Sequence, residues 1–214
     1  MASARRSRRS CSSSSPGGAV RPIQTTRGRL MRLFAALPIP EPARSEVSRL
    51  LQRLHGGDWP VRWVHEDNIH LTLKFFGEVP PARLDVIVEA LQFAVPGTGP
   101  LGLSLGEPGV FPNLRRPRVV WVGVTAPPGL ELLQDRLERR AEAIGFPPEG
   151  VPYHPHLTLG RVREGHRLPE RALEQLQAGY EPLSFLVEQL VLYESIAGRG
   201  APTYAPRVSL ELAA

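Results

Sequence analysis

The tetrapeptide HLTL occurs twice in the chain, at residues 70–73 and 156–159. The two histidines are 86 positions apart, and each copy lies within an apolar run. Alternate side chains of a β-strand share a face, so the leucines of each copy point to one side while its histidine and threonine point to the other. Each copy therefore predicts a strand that buries its leucines and presents an imidazole beside a hydroxyl.

The segments before the two motifs have matching spacing. Arg32 opens an apolar stretch 38 residues before His70, and Arg118 opens another 38 residues before His156. In both segments a predicted strand is followed by a predicted helix and then by the histidine strand, which indicates an internal duplication. Short strands with Pro breaks and intervening helices predict an α+β fold of two pseudo-twofold-related lobes, each a mostly antiparallel sheet with flanking helices. The two His/Thr faces would then meet across a cleft between the lobes.

Apolar periodicity and turn residues predict the remaining elements. The predicted strands cover residues 32–37, 101–105, 119–124, 185–194 and 203–212, and the predicted helices cover 42–55, 82–94, 129–144 and 169–177. Residues 106–117 are rich in Gly and Pro and are predicted to form a long connection.

Residues 1–30 differ in composition from the rest of the chain. They are rich in Arg and Ser, contain no acidic residue and show no hydrophobic periodicity. Such a segment buries too little apolar surface to offset its ordering entropy, so we expect a disordered N-terminal extension before a bilobal domain over residues 31–214. A transit peptide, an RNA-binding tail and a start codon placed upstream of Met31 are alternative interpretations of this extension.

The composition favours an anionic partner. The net charge is +5 and the sequence pI is about 10.1, and Lys74 is the only lysine, so arginine supplies nearly all the positive charge. Arginine suits phosphate recognition, although a GC-rich coding sequence would explain the same bias. No apolar run approaches the roughly 20 residues that cross a bilayer. The single cysteine, Cys11, excludes a disulfide framework and suits a reducing compartment, so we expect a cytoplasmic protein.

Two facing His-x-Thr pairs are typical of acid–base chemistry on a phosphate. Imidazole titrates near neutrality, so one ring can accept a proton while the other donates one. Threonine hydroxyls can donate hydrogen bonds to phosphate oxygens. His154 and His156 could instead form a metal pair, but no carboxylate or cysteine accompanies them at a ligand spacing, so we predict no metal.

The chain resembles the 2H phosphoesterase superfamily, and within it the RNA 2′,3′-cyclic phosphodiesterases, also called 2′–5′ RNA ligases. The resemblance covers roughly residues 31–212 and is carried by residues 31–34 (MRLF), 68–78 (NIHLTLKFFGE), 109–112 (GVFP), 116–121 (RPRVVW) and 155–161 (PHLTLGR).

This resemblance implies hydrolysis of a terminal 2′,3′-cyclic phosphate in RNA to a 2′-phosphate, without metal or cofactor. It assigns His70 as proton donor and His156 as proton acceptor, and Thr72 and Thr158 as ligands of the substrate phosphate. The two motifs are too alike for the sequence itself to assign the acid and the base. The implied substrates are RNA ends, including tRNA fragments, or small cyclic nucleotides, and we expect a monomer.

Four further residues are predicted RNA contacts: Arg115, Arg116, Phe111 and Arg161. Solvated loop charge is the alternative for the two loop arginines, and core packing is the alternative for Phe111. Strand parity places Arg161 with the buried leucines, so it would either form a structural ion pair or reach over the cleft edge. Two other functions stay open: 2′–5′ RNA ligation, which is the reverse chemistry, and non-catalytic RNA binding.

Overall fold

The computed structural model describes residues 29–198 and 201–213, which form nine strands and four helices. The strands are β1 (Met31–Pro38), β2 (Val61–Trp63), β3 (His70–Val79), β4 (Leu101–Phe111), β5 (Val119–Thr125), β6 (His156–Val162), β7 (Ser184–Val187), β8 (Gln189–Ile196) and β9 (Thr203–Glu211). The helices are α1 (Ala43–His55), α2 (Leu84–Ala94), α3 (Pro128–Ala143) and α4 (Ala172–Gln177), with 3₁₀ turns at Glu66–Asn68 and Pro81–Arg83.

The two motif strands lie at the centre of one sheet. The strand order is β7-β4-β5-β6-β3-β1-β8-β9, with β2 paired to β6, and neighbouring strands run antiparallel. Strands β1, β8 and β9 extend the sheet from β3, and strands β5, β4 and β7 extend it from β6. The predicted α+β fold with two antiparallel lobes is confirmed, and the pairing of β3 with β6 joins the lobes.

The helices cover the sheet with the apolar stripes that the sequence predicts. Helix α1 buries Val47, Leu50 and Leu54, and helix α3 buries Leu130 and Leu133 at the same helical spacing. Helix α2 packs on α3, and α3 also contacts β3. The leucines of both motifs belong to the resulting core, which fixes the opposite faces of β3 and β6 toward the cleft.

Two predicted boundaries are wrong. Residues 106–111 continue β4 and pair with β5, because Pro108 lies at a register shift where the missing N–H costs no ladder hydrogen bond. The single predicted strand at 185–194 is two strands, β7 and β8, which pair with β4 and β1 in different lobes. Periodicity within a segment carries no information about which partner each half will meet.

Some predictions fall outside the described residues. The predicted disordered extension over residues 1–30 lies outside them apart from residues 29 and 30, as do Arg199 and Gly200 of the loop between β8 and β9. In the part of the chain that the structure describes, no helix is both long and apolar enough to cross a membrane.

Candidate active site

The two HLTL motifs meet at the centre of the sheet. Strands β3 and β6 pair at Leu71 and Leu157, and both leucines are fully buried. Residues opposite each other on antiparallel strands share a face, so His70 lies beside Thr158 and Thr72 beside His156 on the opposite face. The structure therefore brings the four predicted catalytic and phosphate-binding residues together, and all four line the cleft.

Each histidine is oriented by a backbone carbonyl two residues before it. The Nδ1 of His70 lies 2.7 Å from the carbonyl oxygen of Asn68, and the Nδ1 of His156 lies 2.7 Å from that of His154. A carbonyl oxygen only accepts hydrogen bonds, so Nδ1 carries the proton in both rings. The Nε2 atom of each neutral ring is therefore the one that can accept a proton from a substrate.

Burial makes both imidazoles weaker bases than free histidine. It lowers the pKa of His70 from 6.5 to about 4, and the nearby charge of His156 adds to this lowering. Burial also lowers the pKa of His156, and the carboxylate of Glu149 opposes the effect. Both rings are consequently neutral near pH 7.

Aromatic rings hold each imidazole in place. The His70 ring has its centroid 4.8 Å from that of Phe34 and 5.2 Å from that of Tyr204. The His156 ring meets Phe111 edge-on at 5.0 Å. Phe34 is 3% exposed, as expected for a core residue, whereas Phe111 is half-buried and lines the cleft. Phe111 thus lies where the prediction of a substrate contact requires.

A bulge follows each histidine at the same position. In β3, Thr72 pairs with Ala36 and Lys74 with Ala35, so Leu73 is an extra residue. In β6, Thr158 pairs with Trp121 and Gly160 with Val120, so Leu159 is extra. A bulge reverses the inside–outside alternation of the strand beyond it.

The bulges change the face of the sheet that two residues occupy. Simple alternation assigns Phe75 and Arg161 to the buried face, but Phe75 is 49% exposed and both side chains line the cleft. Each is the fifth residue after its histidine. Among the described residues no carboxylate oxygen lies within 4.0 Å of the Arg161 guanidinium, which excludes the predicted alternative of a structural ion pair there.

The cleft consists of two compartments that share Thr72 and Phe75. The first, which we call the His70 compartment, has a volume of about 160 Å³ and is also lined by Thr158, Arg32, Arg161, Ser195 and Tyr204. The second, the His156 compartment, has a volume of about 660 Å³. It is also lined by Phe111, Pro112, Gln134, Glu138, Pro148, Glu149, Val151, Pro152, Tyr153 and His154.

The two compartments differ in charge. Of the described residues that line the His70 compartment, Arg32 and Arg161 are charged and none is Asp or Glu. The charges of Arg161 and Arg32 both act on Tyr204, whose pKa burial raises and these guanidinium groups lower. The described lining of the His156 compartment contains Glu138 and Glu149 but no Lys or Arg. The cleft is therefore cationic on one side of the two threonines and mainly apolar on the other, where Glu149 is a carboxylate without the ion pair that Lys74 gives Glu138.

The loop between α3 and β6 forms one wall of the His156 compartment and is fixed to β3. The Lys74 ammonium donates to Glu138 Oε2 at 2.6 Å and to the Pro147 carbonyl at 2.7 Å. The Tyr153 hydroxyl donates to the carbonyl oxygen of Thr72 at 3.1 Å. Lys74 is 1% exposed, so this wall rests on a buried ion pair.

Two predicted RNA contacts, Arg115 and Arg116, are not among the residues that line the cleft, whereas His154 borders the His156 compartment. The backbone N–H groups of Arg115 and Arg116 donate to Asn113 Oδ1, and Arg115 lines a separate groove with Leu114 and Leu173. His154 contributes its carbonyl oxygen to His156, and its ring packs on Phe111 and Trp121. No three His, Cys, Asp or Glu side chains converge as a metal cluster in the described parts of the chain.

Arg32, Tyr204 and Phe75 were missed as cleft residues by sequence reasoning. Arg32 and Tyr204 reach the cleft from β1 and β9, which flank β8 in the sheet, and Phe75 reaches it through the bulge. The sequence did contain a signal for Arg32: it is the charged residue of an otherwise apolar strand, two positions before Phe34.

The fold and the paired His-x-Thr strands define a two-histidine phosphoesterase. Residues 39–199 match the family described as the 2′-5′ RNA ligase superfamily, and the chain belongs to that family. The RNA 2′,3′-cyclic phosphodiesterase of Methanothermobacter thermautotrophicus is 41% identical over 133 residues, covering 62% of this chain and 72% of that relative.

Two matches from Escherichia coli, one by sequence and one by structure, extend the comparison. The RNA 2′,3′-cyclic phosphodiesterase of strain K12 is 32% identical over 178 residues, covering 82% of this chain and 93% of that relative. The crystal structure of E. coli LigT complexed with 3′-AMP superimposes with a TM-score of 0.66 at 30% identity, covering 86% of this chain and 98% of that one. The resemblance inferred from the motifs is confirmed.

Proposed function

We propose that this protein hydrolyses terminal 2′,3′-cyclic phosphates of RNA to 2′-phosphates by two-histidine acid–base catalysis. The observation that carries the proposal is that both histidines, each with its Nδ1 held by a backbone carbonyl, lie with Thr72 and Thr158 along one cleft. Relatives named RNA 2′,3′-cyclic phosphodiesterase support the substrate, as does the LigT complex with 3′-AMP.

The reaction needs an acid and a base on opposite sides of the phosphorus atom. His156 Nε2 takes a proton from water as the water oxygen attacks phosphorus, and His70 Nε2 gives a proton to the departing 3′-oxygen. The Thr72 and Thr158 hydroxyls donate to the non-bridging oxygens, where negative charge grows in the transition state. We assign the donor role to His70 and the acceptor role to His156 by the family pattern. The two motifs are nearly symmetric, and each supplies one of the two imidazoles.

Substrate binding must protonate His70, because burial lowers the pKa of that ring to about 4 and leaves it neutral near pH 7. A cyclic phosphodiester carries one negative charge, and an anion in contact with imidazole favours its charged form. We expect the pKa of His70 to rise on substrate binding, so that the enzyme–substrate complex holds the acid form.

The charge difference across the cleft orients the RNA. RNA is a polyanion, and Arg32 and Arg161 face the His70 compartment while Glu138 and Glu149 face the other. The ribose that bears the departing 3′-oxygen, and the phosphates upstream of it, therefore lie on the His70 side. Arg161 is an RNA contact in this arrangement, and Phe111 borders the attacking water. Arg115 and Arg116 contact the parts of a longer RNA that lie outside the cleft.

The substrate class includes every molecule that ends in this cyclic phosphate. tRNA fragments and free nucleoside 2′,3′-cyclic phosphates share the reacting group, and the longer RNAs add contacts to arginine. We further propose that the protein acts as a monomer in the cytoplasm, since the cleft is built from one chain and Cys11 is the single cysteine.

The test is incubation of an oligonucleotide ending in a 2′,3′-cyclic phosphate, followed by identification of the phosphate position in the product. We expect a 2′-phosphate, and we expect His70→Ala and His156→Ala each to lower the rate by about 10²- to 10⁴-fold. His166→Ala is the matched control, because His166 makes the same Nδ1 contact to a carbonyl two residues earlier but is exposed and outside the cleft. Equal rates in all three variants would refute the proposal.

Non-catalytic RNA binding makes a different prediction. A protein that only binds RNA through its arginines would show affinity that falls steeply with salt and would yield no 2′-phosphate. Both alanine variants would then bind as well as the native protein. The same incubation, with a filter-binding measurement beside it, separates the two functions.

A further inference from the structure

We propose that Arg62 and Arg161 together bind the internal phosphodiester on the 5′ side of the terminal nucleotide of an RNA substrate. This inference rests on the proposed function, because it concerns the same RNA and extends the cleft that holds the reacting phosphate. It assigns a role to Arg62, an exposed residue of β2 that is not among the lining residues of either compartment. Such a site distinguishes an RNA end from a free cyclic nucleoside.

Arg62 lies beside Arg161 on the same face of the sheet. Strands β2 and β6 are antiparallel, and Arg62 pairs directly with Arg161. Opposite residues of an antiparallel pair share a face, with their Cβ atoms about 4.5–5.5 Å apart. Val64, whose N–H donates to the Leu159 carbonyl at 2.8 Å, lines the His70 compartment together with Arg161. Alternate residues share a face, so Arg62 continues the cationic side of the cleft.

The two arginines have no carboxylate partner. Within residues 29–198 and 201–213, no carboxylate oxygen lies within 4.0 Å of either guanidinium group. Glu66 and Asp67, which follow β2 in the chain, line a separate groove beside α1. Like charges directly opposite each other on neighbouring strands are destabilising. Folding thus places two guanidinium groups side by side at a cost in stability, and a bound anion offsets this repulsion.

The His70 compartment is too small to enclose a whole nucleotide. Its volume is about 160 Å³, whereas sites that enclose small organic molecules measure roughly 300 to 1,000 Å³. The compartment therefore holds the cyclic phosphate and part of its ribose. The next phosphodiester on the 5′ side lies on the surface around the compartment.

The charges around the compartment indicate which side this phosphodiester takes. Glu78 pairs with Arg32 across β3 and β1, so an exposed carboxylate shares the face of that arginine. The residues that pair with Arg161 are Arg62 on β2 and Val119 on β5. Positive charge is consequently concentrated on the Arg161 side, and a polyanion follows it.

The chemistry of the pair matches a phosphodiester. A guanidinium group presents parallel N–H donors in a planar fork, which fits two oxygens of one phosphate. Two such groups side by side can bind both non-bridging oxygens of one phosphodiester. A nucleoside 2′,3′-cyclic phosphate with a free 5′-hydroxyl lacks this group and gains nothing from Arg62.

The experiment compares three substrates by kcat/KM for formation of the 2′-phosphate. They are adenosine 2′,3′-cyclic phosphate, its 5′-phosphorylated derivative and the dinucleotide ApA ending in a 2′,3′-cyclic phosphate. We expect Arg62→Gln to lower kcat/KM for the dinucleotide about 3- to 30-fold and to leave the value for the free cyclic nucleoside within about twofold. Arg62→Lys keeps the charge and should lose less than Arg62→Gln on the dinucleotide.

Arg140→Gln is the matched control for the loss of one positive charge. Arg140 is exposed on α3, where its guanidinium lies 5.5 Å from the centroid of the Phe93 ring, outside both compartments. This variant should retain the native kcat/KM for all three substrates.

The dependence on salt gives a second readout. Each neutralised phosphate of a single strand contributes about −0.7 to the slope of log affinity against log salt concentration. The corresponding slope of log kcat/KM for the dinucleotide should become shallower by up to about 0.7 in Arg62→Gln. It should stay at the native value in Arg140→Gln.

The failures of the two proposals are distinguishable. If 2′-phosphate forms but Arg62→Gln changes the dinucleotide and the free cyclic nucleoside by the same factor, the phosphodiester site is wrong and the hydrolase stands. An effect confined to the 5′-phosphorylated nucleoside also overturns the site, since an internal phosphodiester is the proposed ligand. If none of the three substrates yields a 2′-phosphate, both proposals fail together.

Discussion

The buried ion pair between Lys74 and Glu138 provides a stringent test of how the cleft wall is held. Lys74 is 1% exposed and Glu138 is 14% exposed in their side chains, and their charged atoms lie 2.6 Å apart. Removal of one partner leaves the other charge buried and unpaired, which costs about 3–5 kcal/mol. We therefore expect Lys74→Met and Glu138→Leu each to lower the free energy of unfolding by about this amount.

The double variant should be far less damaging than the sum of the two singles. With both charges removed, the Pro147 carbonyl loses its 2.7 Å hydrogen bond from Lys74, and the half-buried Gln134 amide loses its 3.2 Å bond to Glu138 Oε1. An unsatisfied buried acceptor costs about 1–3 kcal/mol. The double variant should therefore lie within about 1–3 kcal/mol of the native protein and be more stable than either single variant.

The assay is urea unfolding followed by circular dichroism, with free energies compared in a double-mutant cycle. Arg139→Ala is the matched control on the same helix, since its pair with Asp135 is exposed and should contribute at most about 1 kcal/mol. If the cost of the double variant equals the sum of the singles, the two side chains are not coupled. The inference that a buried ion pair between Lys74 and Glu138 holds the cleft wall would then be wrong.

Three further predictions follow from the site. Thr72→Val removes the hydroxyl that we propose to donate to the phosphate, so we expect kcat/KM for the cyclic phosphate to fall about 10- to 100-fold, and an unchanged value would contradict that role. The pKa of His70 is lowered from 6.5 to about 4 on folding, so the unfolded chain binds more protons and stability should fall as pH falls through that window. The decline should be shallower in His70→Gln by urea unfolding at each pH, and equal slopes would contradict the burial of this ring. A Cβ at Gly109 would overlap the Trp121 ring, so Gly109→Ala should lower thermal stability by about 1–3 kcal/mol, while Gly102→Ala, with open space, should not.

Sequence reasoning succeeded where a pattern is local and repeated. The duplicated HLTL motif predicted two strands with opposed faces, and the identical residue types made their convergence the simplest arrangement. The helical stripe of Val47, Leu50 and Leu54 was likewise predictable, because helical spacing alone determines which side chains face the core.

Sequence reasoning failed where one inserted residue changes the face of a strand. Leu73 and Leu159 are both apolar and look like ordinary members of an alternating pattern, yet each is the extra residue of a bulge. The bulge depends on how the neighbouring strand pairs, and that partner is distant in sequence. Alternation consequently places Phe75 and Arg161 with the buried leucines, although both side chains line the cleft.

The placement of Phe75 and Arg161 at equivalent positions has a consequence for substrate orientation. Two identical repeats would form a palindromic centre, and a cyclic phosphate would enter it equally well in either of two orientations. Half of those encounters would put the departing oxygen beside the wrong imidazole. An aromatic ring in one repeat and a guanidinium in the other break this symmetry, so a duplicated scaffold presents unlike surroundings to the two orientations of the phosphate.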